Sequence, residues 1–526
     1  MKKTMVLVMA LLLACGCMAV PAGLAVNVDE LEQVELVYWI GGDGVQKDTA
    51  EVYALIDAEL TEKLHATVKW ENVPFGDYQS RWGMALAAQE QIDLCWTGWM
   101  INIQQEVANG ALLPLDDYAE YGPDLFASLD EGAINMHRSS DGNLYQFPAW
   151  QGMLGKRSYY AVPSDKLALV EDDTWLSTFQ DLLYENWNKT GEDKMVVYDH
   201  VEKYLEALKA NDALAMGYPA GVNDLYGWYM EKSIYSFAAD TYVYVNVNDD
   251  EFKVQSLVDS DYFKLNAQRM ADWFQKGYVR SDIASLDVAN GLIIDWSGTS
   301  TDNIYVMNGH NGFTPNSLAK ELAGVGFPVD AVFTNPYATY INGAATGTSI
   351  PFTSKNPERA MMLMNLLVTE EGMNAYNLFS FGIEGKHYEW NDAHDSITIF
   401  GGTTQSASDW DYGARPWTLG SLMFAYSSNT YPADYYADMK AGEETAYVEP
   451  LSLCKIDVSG IETEAANLIA VYKEYDPMLK RGYLGADWEA KYDEFVAKMY
   501  EGGLQNVLDE YQRQVDAFVA ANGSKW

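Results

Sequence analysis

The stretch Ile92-Asp93-Leu94-Cys95-Trp96-Thr97-Gly98-Trp99-Met100 constrains this chain more than any other. Ile92 to Cys95 is a short apolar run with a single aspartate, the pattern of a strand buried on both faces of a parallel sheet. The run stops at Thr97-Gly98, where strand gives way to loop, and two indoles bracket that exit. In open α/β sheets, ligands sit in the crevice beyond the carboxyl ends of the strands. Trp96 and Trp99 would stand there with flat apolar faces and an N–H at the edge. Sugar rings, with C–H faces ringed by hydroxyls, suit such surfaces. The alternative for either indole is a place in the core.

The flanking sequence supports a parallel layer. Val34 to Ile40 reads as a strand ending at Gly41-Gly42-Asp43-Gly44, without the G-x-G-x-x-G spacing of a dinucleotide site. Between Asp48 and Leu64, Val52, Leu55, Ile56, Leu60 and Leu64 fall at helical spacing. Ala66 to Val73 alternates as a strand, and Tyr78 to Ala88 looks helical. Strand, helix, strand, helix, strand opens an α/β layer.

Farther on, Gly110 to Asp116 is a turn into a short helix, Asp141-Gly142-Asn143 is a tight turn, and Ser158 to Pro163 is extended. Helical patterns near 201–210 and 262–276 mix with strand-like runs at 241–247 and 252–258. Gly291 to Gly298 repeats the earlier logic: an apolar run, Trp296, then Ser297 and a glycine. Thr339 to Ile350 is a second extended crossing, Asn356 to Asn377 a single helix, and Trp488 to Asn522 is mostly helical. Two strand-rich blocks with extended segments between them imply two α/β lobes joined by more than one crossover. Such lobes close on a ligand by hinge motion around a deep cleft.

A chain of 526 residues exceeds one ordinary core. With 34 basic against 76 acidic residues and a formal net charge of -42, phosphate backbones are repelled, so no nucleic-acid partner is expected. Lys2 and Lys3 followed by the apolar 4–14 form a leader too short to span a bilayer comfortably. Its exit reads either as a lipobox with lipidation at Cys15 or Cys17, or as simple cleavage after Ala25. The first predicts a lipid anchor on the outer face of the cell membrane, the second a free secreted protein. Cys95 and Cys454 make neither a disulfide framework nor a zinc site, and no cofactor or metal is expected. No G-x-S-x-G elbow, H-E-x-x-H or P-loop is present, so no enzyme is expected.

Several segments are similar to one family in the correct order: Val37 to Asp43, Asp93 to Trp96, Gly110 to Leu115, Asp141 to Pro148 and Ser354 to Ala360. They resemble the carbohydrate-type extracellular solute-binding proteins of ABC importers, the family that includes maltose-binding protein. Gly382-Ile383-Glu384-Gly385-Lys386-His387-Tyr388, with 503–516, looks like the lipoprotein LplA-like subgroup. The resemblance implies a two-lobed periplasmic-binding-protein fold of type II with an interlobe cleft and several hinge crossovers. It places lobe 1 at 26–158, lobe 2 at 159–340, a return to lobe 1 at 341–384 and a return to lobe 2 with C-terminal helices at 385–526. It implies capture of an oligosaccharide outside the cytoplasm and delivery to permease transmembrane subunits. The alternatives are a peptide or other polar solute, or a secreted carbohydrate-active enzyme.

The candidate ligand contacts are Asp43, Tyr78 with Arg81, Trp96, Trp99, Trp150, Gln151, Trp228, Trp296 and Ser297. Carboxylates, amides and hydroxyls among them would read sugar hydroxyls, and the aromatics would stack. Glu384 to Tyr388 reads as a structural turn, and Trp417 lies in a loop that resembles a late aromatic contact region.

Overall fold

The computed structural model describes residues 28–42, 44–98, 100–129, 131–150, 157–187, 189, 191–214, 234–236, 243–246, 249–279, 281–285, 307–312, 318–319, 322, 327–334, 336, 346–400, 411–413, 416–428, 438–439, 441, 451 and 454–522. The first 98 residues of the sequence supply β1 (Val34–Gly42), α1 (Thr49–Leu64), β2 (Ala66–Pro74), α2 (Phe75–Ala87) and β3 (Leu94–Gly98). Strand β1 pairs in parallel with both β2 and β3, as the alternating pattern predicts. In α1, Val52, Ile56, Leu60 and Leu64 recur every four residues and are buried against the sheet. Each contributes about 1.5–3 kcal/mol relative to exposure. Leu55 belongs to the same sequence pattern but points outward.

The sheet is completed from far away in sequence. Strand β4 (Phe147–Pro148) pairs with β11 (Thr346–Ser349), and β11 runs antiparallel to β3, giving the order β2-β1-β3-β11-β4. Its centre is polar but satisfied. Tyr38 Oη shares a hydrogen bond with Thr348 Oγ1 at 2.8 Å, and Gln146 Nε2 donates to Thr97 O at 2.7 Å.

The single helix expected over 356–377 is two: α6 (Pro357–Leu366) and α7 (Met373–Phe381). Thr369 breaks it by donating its hydroxyl to Leu366 O at 2.8 Å, while the Gly372 N–H returns to Thr369 Oγ1 at 3.2 Å. A hydroxyl that bonds local backbone competes with the helical ladder.

A second core gathers α3 (Trp175–Asn186), α4 (Glu192–Ala210), α5 (Asp261–Gln275) and the C-terminal α8 (Glu462–Lys480), α9 (Trp488–Glu501) and α10 (Leu504–Asn522). Trp175, Phe263, Trp273, Phe495 and Tyr511 are buried within it. Two antiparallel three-stranded sheets flank these helices. One has β5 (Arg157–Pro163) between β9 (Met307–Gly312) and β10 (Val329–Phe333); the other has β7 (Val243–Asn246) between β6 (Ile234–Ser236) and β8 (Val254–Ser256).

Among the described residues the buried members thus alternate between two cores: from 36 to 147 in the first, from 160 to 332 in the second, from 350 to 419 in the first again, and from 451 to 515 back in the second. The described residues between 385 and 428, expected with the second lobe, pack against the first. Tyr388 and Ile397, on the hairpin β12 (Tyr388–Trp390) and β13 (Ile397–Ile399), join Phe381 in one apolar cluster. Tyr412 Oη donates to Phe379 O at 2.7 Å, and Tyr376 Oη to Pro416 O at 2.7 Å. The aromatic face of α7 offers these segments burial that the sequence pattern does not announce. Among the described residues, no helix is long and apolar enough to cross a membrane.

Candidate ligand-binding site

Strands β1, β2 and β3 share one carboxyl edge, where Gly42, Pro74 and Gly98 end their strands. The antiparallel β11 brings Thr346 beside Gly98, and Ala149 N donates to Thr346 O at 3.1 Å, so β4 also exits on this edge. This is the position at which open α/β sheets receive ligands.

Trp96 lies beneath that edge, fully buried, which decides its two sequence readings in favour of the core. Its indole fills the space that side chains at two neighbouring positions would need. A Cβ built on Gly98 would come within 2.1 Å of Trp96, and one on Gly41 within 2.6 Å. The strand ends therefore present bare backbone, and the indole supports it from below.

Tyr78 is likewise corrected as a cleft residue. It is fully buried and donates its hydroxyl to Trp96 O at 2.6 Å. Burial holds its phenol well above the ordinary value. Arg81, half-buried, does not join it; its guanidinium sits 5.2 Å over the Trp39 ring. Asp43, Trp99, Gln151, Trp228, Trp296 and Ser297 lie outside the described residues, as do Cys15 and Cys17.

Trp150 is half-buried on the carboxyl edge. Its N–H donates to Gly420 O at 3.1 Å and its carbonyl accepts from Leu422 N at 2.9 Å. The same returning segment carries Trp417, whose carbonyl accepts from Thr346 Oγ1 at 2.9 Å. Trp150 and Trp417 pack against the buried Leu422 and Met439. Phe75, absent from the sequence-derived candidates, completes the wall. Its ring lies 5.2 Å from Trp96 and within 7° of parallel to Trp417 at 6.5 Å. Phe75 directly follows the end of β2, and the strand-end reasoning applied to β2 would have found it.

Beside this wall, a recess of about 400 Å³ including its open mouth lies between β1, β2 and the start of α1. Gly41, Gly42, Gln46, Thr49, Tyr53 and Asn72 are among the residues lining it. Tyr53 Oη donates to Asn72 Oδ1 at 2.8 Å, and Gly413 N donates to Gln46 Oε1 at 2.7 Å.

Apart from Gly41 and Gly42 in the recess and Trp96 beneath Phe75, the motifs that carry the family resemblance fasten this wall and do not line it. Asp93 is fully buried and accepts five hydrogen bonds. Val37 N and Gln91 Nε2 reach one oxygen, while Ser354 Oγ, Lys355 N and Asn356 N reach the other. The third strand and the start of α6 are thereby one unit. Asp116 does the same for the turn at 141–144, accepting from Leu144 N at 2.7 Å and Arg138 Nη1 at 2.8 Å.

The segment 382–388 is a clasp, consistent with its reading as a structural turn. Gly382 adopts φ +80, a conformation that favours glycine. His387 Nδ1 accepts from Ile383 N at 2.8 Å, so its ring proton lies on Nε2, 3.2 Å from Asp48 Oδ2. Lys386 reaches Asp48 at 3.0 Å and Glu51 at 2.6 Å, with Lys386 the main cause holding the Asp48 carboxyl below its ordinary value. Among the described residues, no group of three or more His, Cys, Asp or Glu is placed to hold a metal ion.

A family model described as a domain of unknown function, DUF3502, matches residues 454–520, the C-terminal helices. Over 521 residues the chain is 20% identical to a carbohydrate ABC transporter substrate-binding protein of Streptococcus pneumoniae, covering 97% of this chain and 95% of that one. The crystal structure of the N-glycan transport solute binding protein NgtS from Streptococcus pneumoniae superposes with a TM-score of 0.70 at 18% identity, covering 93% of this chain and 99% of that one. The Streptococcus pneumoniae substrate-binding protein FusA in complex with kestose gives a TM-score of 0.59 at 14% identity, over 93% and 100%. These likenesses show a shared two-lobed fold.

Proposed function

We infer that this chain is a carbohydrate-type solute-binding protein, the extracytoplasmic receptor of an ABC importer, which captures an oligosaccharide between its lobes and delivers it to a permease. The observation that carries this reading is the match over 97% of the chain to a carbohydrate ABC transporter substrate-binding protein. The half-buried Phe75, Trp150 and Trp417 at the carboxyl edge supply what such a function needs on one wall, since their exposed ring surface can stack on sugar C–H faces. The bare backbone above Trp96 adds hydrogen-bonding groups close to the ligand. Asp43, Trp99, Gln151, Trp228, Trp296 and Ser297 remain proposed contacts from the strand-end loops and the second lobe.

Binding is the whole activity in this reading. Ligand favours the closed form only by its greater affinity for that form, and closure excludes water and creates the surface that the permease recognises. A leader with lipidation at Cys15 or Cys17 would tether the receptor to the membrane that holds the permease. We place the second return to lobe 2 after 428, because the hairpin and the described residues of 411–428 pack on the first core and 454–515 on the second.

The test is a glycan panel read by tryptophan fluorescence and melting temperature, with a peptide panel beside it. A ligand at 100 times its dissociation constant adds about 2.7 kcal/mol of stability. Stabilisation by at least one glycan, recovered chemically unchanged, is expected. Response to peptides alone would overturn the sugar reading, and a cleaved glycan would overturn the non-enzymatic one. Mass spectrometry of the mature N-terminus decides the lipid anchor.

A further inference from the structure

We propose that the recess between β1, β2 and α1 seats the acetamido group of an N-acetylated sugar unit, so that this receptor selects N-acetylated oligosaccharides over plain ones. The proposal rests on the oligosaccharide reading above and adds the subsite and the substituent.

The recess is donor-rich because of how its two amides are held. Gly413 N can only donate, so the Gln46 oxygen faces it at 2.7 Å and Nε2 turns away. Tyr53 Oη occupies Asn72 Oδ1 at 2.8 Å, leaving Nδ2. Neither amide nitrogen has a hydrogen-bond partner among the described residues. Both side chains are half-buried on the recess wall, so each N–H needs an acceptor once a ligand displaces water. The rings of Tyr53, Phe379 and Tyr412 line the same space and provide an apolar surface.

Two amide donors beside aromatic rings fit a group that carries one strong acceptor and one small apolar end. A carboxylate meets the first requirement only. Among the described residues, the lysines nearby are already paired, Lys47 with Asp411 at 2.8 Å and Lys386 with Asp48 and Glu51. A lone hydroxyl leaves the rings uncovered. The acetamido group supplies a carbonyl oxygen for the amides and a methyl for the rings. The recess is small, because its roughly 400 Å³ includes the open solvent at its mouth. It has room for a single small substituent, while the sugar ring and the rest of the chain lie outside it along the aromatic wall.

Isothermal titration of the full mature chain with chitobiose and cellobiose tests this, because the two share a backbone and differ in the acetamido groups. Chitobiose is expected to bind about tenfold or more tightly. Gln46→Glu and Asn72→Asp keep the oxygens that receive Gly413 N and Tyr53 Oη but remove the donors. Each is expected to lower chitobiose affinity about three- to tenfold and so to narrow its preference over cellobiose. Equal affinity for the two disaccharides, or a preference that survives both substitutions, overturns the proposal and leaves the sugar-receptor reading standing. Failure of every glycan in the panel to bind overturns both.

Discussion

The two lobes are held together by different means. The first is assembled from chain segments hundreds of residues apart, and buried polar groups set their register. Asp93 joins residue 37 to residues 354–356, and Arg359 Nη1 donates to Leu64 O and His65 O at the end of α1. The second lobe relies mainly on an apolar core of aromatic rings and helices, although a few polar side chains such as His200 and Asn266 are buried with them. Gln512 accepts from Val254 N at 2.7 Å and donates to Phe252 O at 3.3 Å, standing in for a missing strand at the edge of β8. Gln514 treats Asp457 N and O in the same way. Strands drawn from distant segments need directional bonds to choose a register, whereas the helices of the second lobe, also drawn from two separate stretches of chain, are placed by area burial.

The largest test of this contrast is Asp93→Ala. It strands several buried donors at once and is expected to cost about 3–5 kcal/mol in urea unfolding, with loss of the first lobe's protection in hydrogen exchange. A cost under about 1 kcal/mol would remove the polar staple from the account of the first lobe.

Acid should also separate the lobes. Burial lowers His137 in the first lobe from 6.5 to about 4, its Nδ1 lying 2.8 Å from Ala133 O. Burial also lowers His200 in the second lobe, where its ring stacks on Trp175. A base depressed on folding binds fewer protons than in the unfolded chain, so its stabilising contribution is complete above 6.5. At His137 it is lost as pH falls from 6.5 through about 4, an effect of about 3 kcal/mol. Unfolding titrated over that range should lose most of its pH dependence in the first lobe with His137→Gln, and retain the contribution of His200 in the second.

Smaller effects sharpen the picture. Gly98→Ala forces the Trp96 indole to move and is expected to cost about 1–3 kcal/mol, partly restored by Trp96→Phe in the double variant. A double-mutant cycle with no coupling would dissociate the indole from the strand ends. Gln512→Leu should cost about 1–2 kcal/mol and speed exchange at the Val254 amide without touching β1 to β3.

The opening βαβαβ layer was legible because its periodicities are strong and local: Val52, Ile56, Leu60 and Leu64 for α1, and the apolar run before Thr97 for β3. The order of motifs also pointed correctly to the two-lobed solute-binding fold. The site was only partly legible. Trp150 reaches the carboxyl edge, but Tyr78 and Trp96 turn inward, and Phe75 was missed. An aromatic residue near a strand end has two burial options, and its own neighbours in sequence do not choose between them.

By itself, then, the sequence determined the α/β layer, the strand ends at which a ligand would sit, and the motifs that fix one segment to another. Tertiary structure alone decided which rings are wall and which are foundation. That choice depends on glycines at 41 and 98 leaving a volume that the Trp96 indole fills, with the Phe75 ring beside it at Gly41, and on the distant 416–422 segment bringing Trp417 to the edge. Volume and adjacency are properties of the assembled chain, and no local pattern encodes them.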